Sequence, residues 1–361
     1  MSIDFEKLRS EPRILIEVAL KPVAGTRIQP TGFPDLGPAT YDAPDGTPTL
    51  LVESAQSMAN RLEAVCWDEA GADIAPELNG LPFVRVKLSG LGDGSDTTNS
   101  LLEFHRLNSP YIMSGTTTDG KSFADFLKPQ LGLASIPGKK AAGKPRDEKN
   151  DAAPDATTIV KEPDDVAGVV SLRKLARVCF KYDPNSLIHG IFLEKIAGRL
   201  RHPRALSAFI EASGVGRADS GGVKFDRVLP KPSIAKVDAK GGYGNVPFHR
   251  TEFTAKSITA FFSIDLAQIR GYGLSDDAGH LLVVFSLWKV RQFLDSTMRL
   301  RSACELEVDA ANGGIIAKRP SHFNFPSALD LKKALGELIK TCRPEFADPL
   351  ITELTWNSLK A

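Results

Sequence analysis

Residues 115–122, GTTTDGKS, match the spacing GxxxxGK[ST] of a phosphate-binding loop. In such loops a buried strand leads into glycine-rich backbone whose N–H groups surround the phosphates, and a long helix begins at the Lys-Ser step. The context differs here, because three threonines fill the loop and Pro129 limits the following helix to about two turns. We therefore predict a threonine-rich turn and helix cap, and keep a nucleotide-hydrolysing protein as an alternative.

The six histidines could supply acid–base chemistry, but their spacing does not make a metal site. They form no HxxH or HExxH pair, which argues against a metalloprotease. His249, beside Arg250, could act as the general acid–base group of a metal-independent ribonuclease. A partner base is not evident in the sequence, so this ribonuclease is a second enzymatic alternative.

The four cysteines, Cys66, Cys179, Cys304 and Cys342, lie far apart without a CxxC pair. This spacing predicts reduced, packed thiols rather than a zinc site or a disulfide framework. We expect no cofactor, no metal and no catalytic residue.

Charge is distributed unevenly along the chain. Residues 171–250 contain 15 Lys and Arg against 6 Asp and Glu, although the whole chain has a formal net charge of only +1. Such an asymmetry is typical of a surface that binds a polyanion, and it also fits a solvated basic face.

Basic residues recur beside turn residues, an arrangement that suits phosphate contacts. Arginine binds phosphates bidentately, and glycine lets backbone N–H groups approach a single-stranded backbone. The residues of this kind are Lys21, Arg27 and Gln29 in the connection after the first predicted strand, Lys224 and Arg227, Arg250, and Arg299 with Arg301. Solvated strand ends are the alternative explanation.

The overall composition is that of a globular chain of one large domain or two smaller ones. Of 361 residues, 42% are apolar and 25% are charged, and a chain of this size can bury a substantial core. The longest apolar stretch, residues 281–288, is much shorter than the roughly 20 residues that span a bilayer. The N-terminal residues are acidic where a secretory signal would be basic. We expect a cytoplasmic protein that has no membrane partner.

Hydrophobic periodicity predicts an α+β fold. Strands are predicted over 13–20, 81–88, 258–266 and 298–308, and helices over 54–67, 187–200, 203–212, 278–295 and 326–340. A long connection at 21–48, a flexible insertion at 134–165 and an extended loop or ribbon at 213–250 separate them. Two strand-helix-strand units with large insertions favour an RRM-like (ferredoxin-like) domain.

Several long strings make the sequence similar to one known family. They are LKPVAGTRIQPTGFPDLG, LLVESAQSMANRLEAVCWD, SGGVKFDRV, YGNVPFHRTEFTA, SIDLAQIRGYGL and MRLRSACELEV. Together they closely resemble the backbone (RAMP-superfamily) subunit of type I-U, or I-G, CRISPR surveillance complexes. The resemblance covers nearly the whole chain except residues 134–165.

This resemblance implies an RRM-like palm with inserted subdomains, including a thumb-like loop or hairpin, for which residues 213–250 are our candidate. Such subunits bind without cleaving, and several copies assemble along a guide RNA. The implied partners are the CRISPR guide RNA, other copies of the chain, other subunits of the complex, and target DNA through the guide. The implied division is 1–133 (first half of the palm, with loop 21–48), 134–165 (flexible insertion), 166–250 (basic helical and thumb-like insertion), 251–310 (second half of the palm) and 311–361 (C-terminal helical tail).

The family's RNA contacts come from the loop after the first strand, the start of the first helix and the thumb. In this chain we choose within those regions Lys21, Arg27 and Gln29; Ser54, Gln56, Ser57, Asn60 and Arg61; and Lys224, Arg227 and Arg250. With Arg299 and Arg301 on the last predicted strand, these are the predicted RNA-binding residues.

Overall fold

The computed structural model describes residues 3–33, 35, 37–90, 96–135, 166–194, 196, 200–224 and 246–357. Its α-helices are α1 (Phe5–Leu8), α2 (Ala55–Ala64), α3 (Pro110–Met113), α4 (Phe123–Leu131), α5 (Leu172–Tyr182), α6 (Asn185–His189), α7 (Leu266–Gly271), α8 (Asp276–Asp295) and α9 (Ala328–Cys342). Its strands are β1 (Arg13–Pro22), β2 (Gly32–Phe33), β3 (Gly37–Pro38), β4 (Thr40–Asp42), β5 (Pro48–Glu53), β6 (Trp67–Asp68), β7 (Asp73–Ile74), β8 (Phe83–Ser89), β9 (Thr97–Asn99), β10 (Ala134–Ser135), β11 (Val166–Ala167), β12 (Ile191–Leu193), β13 (Leu200–His202), β14 (Leu206–Ser213), β15 (Gly216–Lys224), β16 (Val246–Thr254), β17 (Ser257–Asp265), β18 (Arg299–Arg301), β19 (Cys304–Val308), β20 (Ile315–Arg319) and β21 (Ile351–Asn357).

The fold is a mixed α/β arrangement around an eight-stranded main sheet. The strands lie in the order β18-β19-β1-β17-β14-β5-β4, and β20 also pairs with β1. The predicted first strand is confirmed as β1, whose alternate residues Ile14, Ile16, Val18 and Leu20 are buried. Period-two burial means that β1 buries one face of the sheet in the core and leaves the other face accessible.

Two confirmed helices, α2 and α8, pack on the main sheet. The side chain of Ser54 accepts a hydrogen bond from the backbone N–H of Ser57 and begins α2, and Ser275 begins α8 in the same way through Ala278. Such caps satisfy backbone donors that would otherwise lack a partner at the helix start. Because most of α8 is buried, its apolar residues fill the core behind β17.

The helix predicted over 203–212 is wrong, because this segment forms strand β14. Its burial alternates at Leu206, Ala208, Ile210 and Ala212. Alanine and leucine favour helices intrinsically, but pairing with β17 on one side and β5 on the other decides the structure. The helix predicted over 187–200 is also mostly wrong, since α6 ends at His189 and is followed by β12 and β13.

The strand predicted over 81–88 is confirmed as β8, but it lies outside the main sheet. It pairs in parallel with β21 and antiparallel with β9 in a separate sheet. The single strand predicted over 298–308 is wrong in detail, since a turn at Ala303, with a φ of 59°, divides it into β18 and β19. The predicted strand 258–266 and C-terminal helix 326–340 are confirmed as β17 and α9.

The predicted extended ribbon at 213–250 is confirmed in its described part. Strands β15 and β16 pair antiparallel from Gly216 with Thr254 to Lys224 with Val246. A Cβ atom at Gly221 would lie 2.4 Å from the carbonyl oxygen of Phe248, so the close approach of the strands requires glycine there. Arg227 lies outside the described residues, as does most of the predicted insertion 134–165.

A buried polar network joins the segments between α2 and β14 to the helices of the main sheet. Arg106 donates from Nε and Nη2 to the two carboxylate oxygens of Glu63 over 2.6 and 2.7 Å. Asn185 donates to the same carboxylate over 2.9 Å and accepts from Lys289 Nζ over 2.6 Å. Because these groups are all buried, each depends on its partners for the hydrogen bonds that water would otherwise make.

We predict that Glu63→Ala lowers the free energy of unfolding by about 3–5 kcal/mol, because it leaves Arg106 charged and buried without its carboxylate. The matched control is Glu77→Ala, which breaks the Lys332–Glu77 surface pair and should cost less than about 1 kcal/mol. Chemical denaturation of both variants measures the difference. Equal destabilisation of the two variants would contradict the assigned role of the network.

Candidate nucleic-acid interface

Three segments meet at the carboxyl end of β1: the connection 23–31, the base of the β15–β16 ribbon, and the turn between β18 and β19. Ile28 and Phe253 exchange two backbone hydrogen bonds of 2.8 and 2.9 Å, which attach the connection to the ribbon. The backbone N–H of Gln29 donates to the carbonyl of Ala303 over 2.9 Å. Backbone pairing therefore fixes the position of the side chains that this connection carries.

The first cluster of charges is the Glu252 bridge, formed by Glu252, Arg27 and Arg250. One carboxylate oxygen of Glu252 lies 3.1 Å from Arg27 Nη1, and the other lies 3.4 Å from Arg250 Nη1. The Glu252 side chain is 7% exposed, whereas those of Arg27 and Arg250 are 56% and 31% exposed. The bridge therefore presents its two cations to solvent and covers its anion.

The second cluster is the Glu53 bridge, formed by Glu53, Arg61 and Arg301. Glu53 is 1% exposed; one of its oxygens lies 3.3 Å from Arg61 Nε and the other contacts Arg301 Nη2. Arg301 also donates to the carbonyl of Gln29 over 3.0 Å, and Arg61 donates to the carbonyl of Leu300. Burial lowers the pKa of both guanidinium groups from its usual value. These arginines mainly hold α2, β18 and the connection together.

Two further cations, on β1 and on the edge strand β18, lie at the same end. Lys21 Nζ lies 3.2 Å from Glu307, and Arg299 Nε lies 3.2 Å from Glu305. All four side chains are about half exposed or more. Exposed pairs of this kind are weak and are screened by salt, so both cations can exchange their carboxylate for another anion.

The start of α2, directly after Glu53, adds uncharged polar groups. Gln56 is exposed, and Ser57 and Asn60 are partly exposed. Ser54 is occupied as the helix cap. Arg204 donates from Nη1 to the carbonyl of Ala55 over 3.0 Å and brings another cation to the same helix start.

A small cavity of about 240 Å³ lies beside the Glu252 bridge. It is open to solvent between the connection after β1 and the β18–β19 turn. The residues around it are Pro22, Ala24, Gly25, Thr26, Arg27, Glu252, Ala303 and Glu305. The cavity gives a polar group access to the exposed side of Arg27.

One family model, described as CRISPR-associated protein GSU0053, matches residues 14–217, which is more than half of the chain. The chain belongs to the CRISPR-associated GSU0053 family. This is a RAMP-type family, in agreement with the resemblance found in the sequence. No curated protein is significantly similar to this GSU0053-family member.

The solved structures that are similar to the GSU0053-family chain include two at low identity. One is described as a CRISPR RNA-guided surveillance complex, pre-nicking; the match has 15% identity and a TM-score of 0.39, and covers 92% of this chain and 89% of that one. The other is Csc2 of Thermofilum pendens, with 11% identity and a TM-score of 0.29, covering 96% of this chain and 80% of that one.

The GSU0053-family structure divides the predicted RNA-binding residues between the carboxyl end of β1 and helix α2, which begins after β5 toward the other end of the main sheet and is joined to the first set through the Glu53 bridge. The first set comprises Lys21, Arg27, Gln29, Arg250, Arg299 and Arg301, and α2 with its cap carries Ser54, Gln56, Ser57, Asn60 and Arg61. Lys224 instead lies at the far end of β15 from the ribbon base, and Arg227 lies outside the described residues.

The sequence reasoning missed the two carboxylates that organise the site, and it also missed Arg204. Glu252 had a detectable signal only if the extended segment predicted to end at residue 250 is continued, because Phe248, Arg250 and Glu252 alternate and share one face of β16. Glu53 directly precedes the helix cap Ser54, but its partners are distant in sequence. We find no local signal that identifies Glu53 or Arg204.

The GTTTDGKS segment does not form a phosphate-binding loop in the described structure. Thr117 N–H donates to Lys121, Gly120 N–H to Thr117 and Phe123 N–H to Gly115, over 2.8 to 2.9 Å. These backbone donors are therefore used inside the turn. A Cβ atom at Gly115 would lie 2.7 Å from the carbonyl oxygen of Tyr111, so packing explains that glycine. The predicted turn and the helix cap at Ser122 are confirmed.

His249, the group considered for a ribonuclease, lies on the exposed ribbon. Its Nε2 is 3.6 Å from Asp219 Oδ1, and that same oxygen accepts a 2.9 Å hydrogen bond from Arg217. The hydrogen bond from Arg217 lowers the pKa of Asp219. Neighbouring residues of a strand point to opposite faces, so His249 lies on the other face of β16 from Arg250 and Glu252.

Among the described residues, no group of three or more His, Cys, Asp or Glu side chains could hold a metal ion. Each helix of the described chain falls short of the length or the apolarity that a bilayer crossing requires. All four cysteines are buried and free, as their spacing predicts.

We predict that ATP with Mg²⁺ causes no thermal shift of this protein, because the backbone N–H groups of Gly115, Thr116, Thr117 and Gly120 already donate to backbone carbonyls. Lys121→Ala should change the free energy of unfolding by less than about 0.5 kcal/mol, since Lys121 pairs only with the exposed Asp119. Thermal unfolding of both proteins with and without nucleotide measures this. A stabilisation by ATP that Lys121→Ala abolishes would contradict it.

Proposed function

We propose that this protein is a non-catalytic, CRISPR RNA-binding subunit. In this proposal, copies polymerise along the guide RNA and form the backbone of a type I-U or I-G surveillance complex that recognises target DNA in antiviral defence. The observation that carries the proposal is the meeting of Arg27, Arg250 and their neighbouring cations at the base of the ribbon. Membership of a CRISPR-associated family supports it.

We also propose that β1, β14, β17 and β19 are the RRM-like palm. In chain order these are the first to fourth strands, and they lie side by side as fourth, first, third, second. Helix α2 lies between the first and second of them in the chain, and α8 between the third and fourth. This order supports a ferredoxin-like core, from which the β15–β16 ribbon extends between two neighbouring strands as the thumb.

The proposed binding mode uses the backbone of the RNA rather than its bases. Arg27, Arg250, Lys21 and Arg299 are accessible and suited to phosphates. Gln56 and Asn60 on α2 can donate or accept at ribose hydroxyls. Sequence specificity then belongs to base pairing between the guide and the target DNA. Lys224 and Arg227, further along the ribbon, are proposed to contact the RNA or the neighbouring copy.

The two enzymatic alternatives receive less support than binding does. The GTTTDGKS turn uses its own donors internally, as described above. His249 does have a carboxylate neighbour in Asp219, and incubation of the purified protein with precursor RNA tests the ribonuclease directly. Intact precursor RNA is the expected result, and cleavage that His249→Ala abolishes would support the ribonuclease instead.

We predict that Arg27→Ala weakens binding of two RNAs of unrelated sequence by about the same factor, because Arg27 contacts phosphate and not bases. The logarithm of wild-type affinity should fall with the logarithm of salt concentration by about 0.7 for each phosphate contact. Fluorescence anisotropy over a salt series measures both quantities. Lys332→Ala on α9, which removes a cation remote in sequence from the site, is the matched control. Salt-insensitive binding, or strong preference for one RNA sequence, would contradict the proposal.

A further inference from the structure

We infer that Glu252 is a positioning residue, which holds the Arg27 and Arg250 guanidinium groups at a fixed separation for consecutive phosphates of the bound RNA. The inference rests on the proposed function. Glu252 contacts the two arginines, but its negative charge does not itself attract the RNA.

The geometry shows how one carboxylate can set the relative position of two arginines. Each oxygen of Glu252 forms an ion pair with a different guanidinium, one carried by the connection after β1 and the other by β16 itself. Arg27 and Arg250 therefore come from separate segments but share one anchor. Since Ile28 and Phe253 pair through their backbones next to this anchor, the base of the bridge is rigid.

The charge of Glu252 has the wrong sign for a group that only attracts a polyanion. A carboxylate at a phosphate site lowers the local positive potential, and its burial has a further desolvation cost. Without Glu252, the charge of the site alone would attract RNA phosphates more strongly. Glu252 is covered and lies between two exposed cations. It therefore contributes the arrangement of the two arginines and not net charge.

The bridge leaves most of each guanidinium available. A guanidinium carries five N–H donors, and Glu252 takes only one nitrogen of each arginine, the Nη1. The remaining donors can bind a phosphate through two parallel hydrogen bonds. Restricting a long side chain before binding also reduces the conformational entropy lost when the RNA binds.

A second contact orients Arg250 along the ribbon. Its guanidinium carbon lies 5.6 Å from the centroid of the Phe248 ring, which is on the same face of β16. The residues opposite this face on β15, from Ala218 through Ser220 to Gly222, are all small. A strand of RNA can therefore approach Arg250 without meeting a large side chain from the paired strand.

The test compares three variants of the full chain, with a single-stranded RNA as the probe. Glu252→Gln removes the charge and one acceptor, Glu252→Asp keeps the charge but shortens the side chain, and Glu307→Gln removes an exposed carboxylate near Lys21. We expect Glu252→Gln and Glu252→Asp to weaken binding by about tenfold each. We expect Glu307→Gln to leave the affinity unchanged or to raise it, because it makes the site more positive.

The salt dependence of RNA binding distinguishes a loss of phosphate contacts from a loss of folded protein. If two phosphate contacts are lost with Glu252→Gln, the slope of log affinity against log salt falls by about 1.4. A merely unstable variant would lower the active fraction and leave the slope unchanged. Melting temperatures of all variants accompany the binding data.

Wild-type binding distinguishes the two ways in which these ideas could fail. If the wild-type chain does not bind RNA, the proposed function is wrong. If the wild-type chain binds RNA but Glu252→Gln and Glu252→Asp bind equally well or more tightly, the function stands and the positioning role of Glu252 is wrong. An unchanged salt slope in both variants would likewise overturn that role.

Discussion

Strand β1 is the constraint on which the arrangement of the molecule depends. Its inward side chains are buried in the core, and along its length it hydrogen-bonds to β17, β19 and β20. A shift of one residue in any of these pairings would turn every apolar side chain of β1 toward the wrong face. Because the register of β1 is fixed in this way, the connection that leaves its carboxyl end reaches the ribbon base and the β18–β19 turn in one defined position.

At that end of β1, positive charge is combined with buried negative charge. Glu53 and Glu252 are covered, and each contacts two arginines from different segments. The Glu53 bridge is more deeply buried and mainly joins α2, β18 and the connection after β1. The Glu252 bridge is shallower and leaves Arg27 and Arg250 accessible, so the proposed RNA contact belongs to it. This division explains how a chain that is nearly neutral overall can hold a concentrated cationic site without large repulsion among its own groups.

Short sequence patterns predicted those helices and strands whose structure depends mainly on residues close together in the sequence. The alternation in β1, the capped amphipathic α2 and the apolar run of α8 are each visible in a short window. Strand β14 was missed because its alanines and leucine favour a helix, and only pairing with β17 and β5, distant in sequence, makes it a strand. The site follows the same rule: Arg27 and Arg250 stand beside turn residues and were found, whereas Glu53 is significant only through Arg61 and Arg301, which the fold brings to it.

Ultraviolet crosslinking of the purified protein to bound single-stranded RNA, followed by identification of the modified peptides, tests the central claim most directly. The account predicts crosslinks in residues 21–31 and 246–254, the segments on either side of the Glu252 bridge, and an RNA that remains intact. Crosslinks confined to the separate sheet of β8, β9 and β21, or cleavage of the RNA, would contradict it.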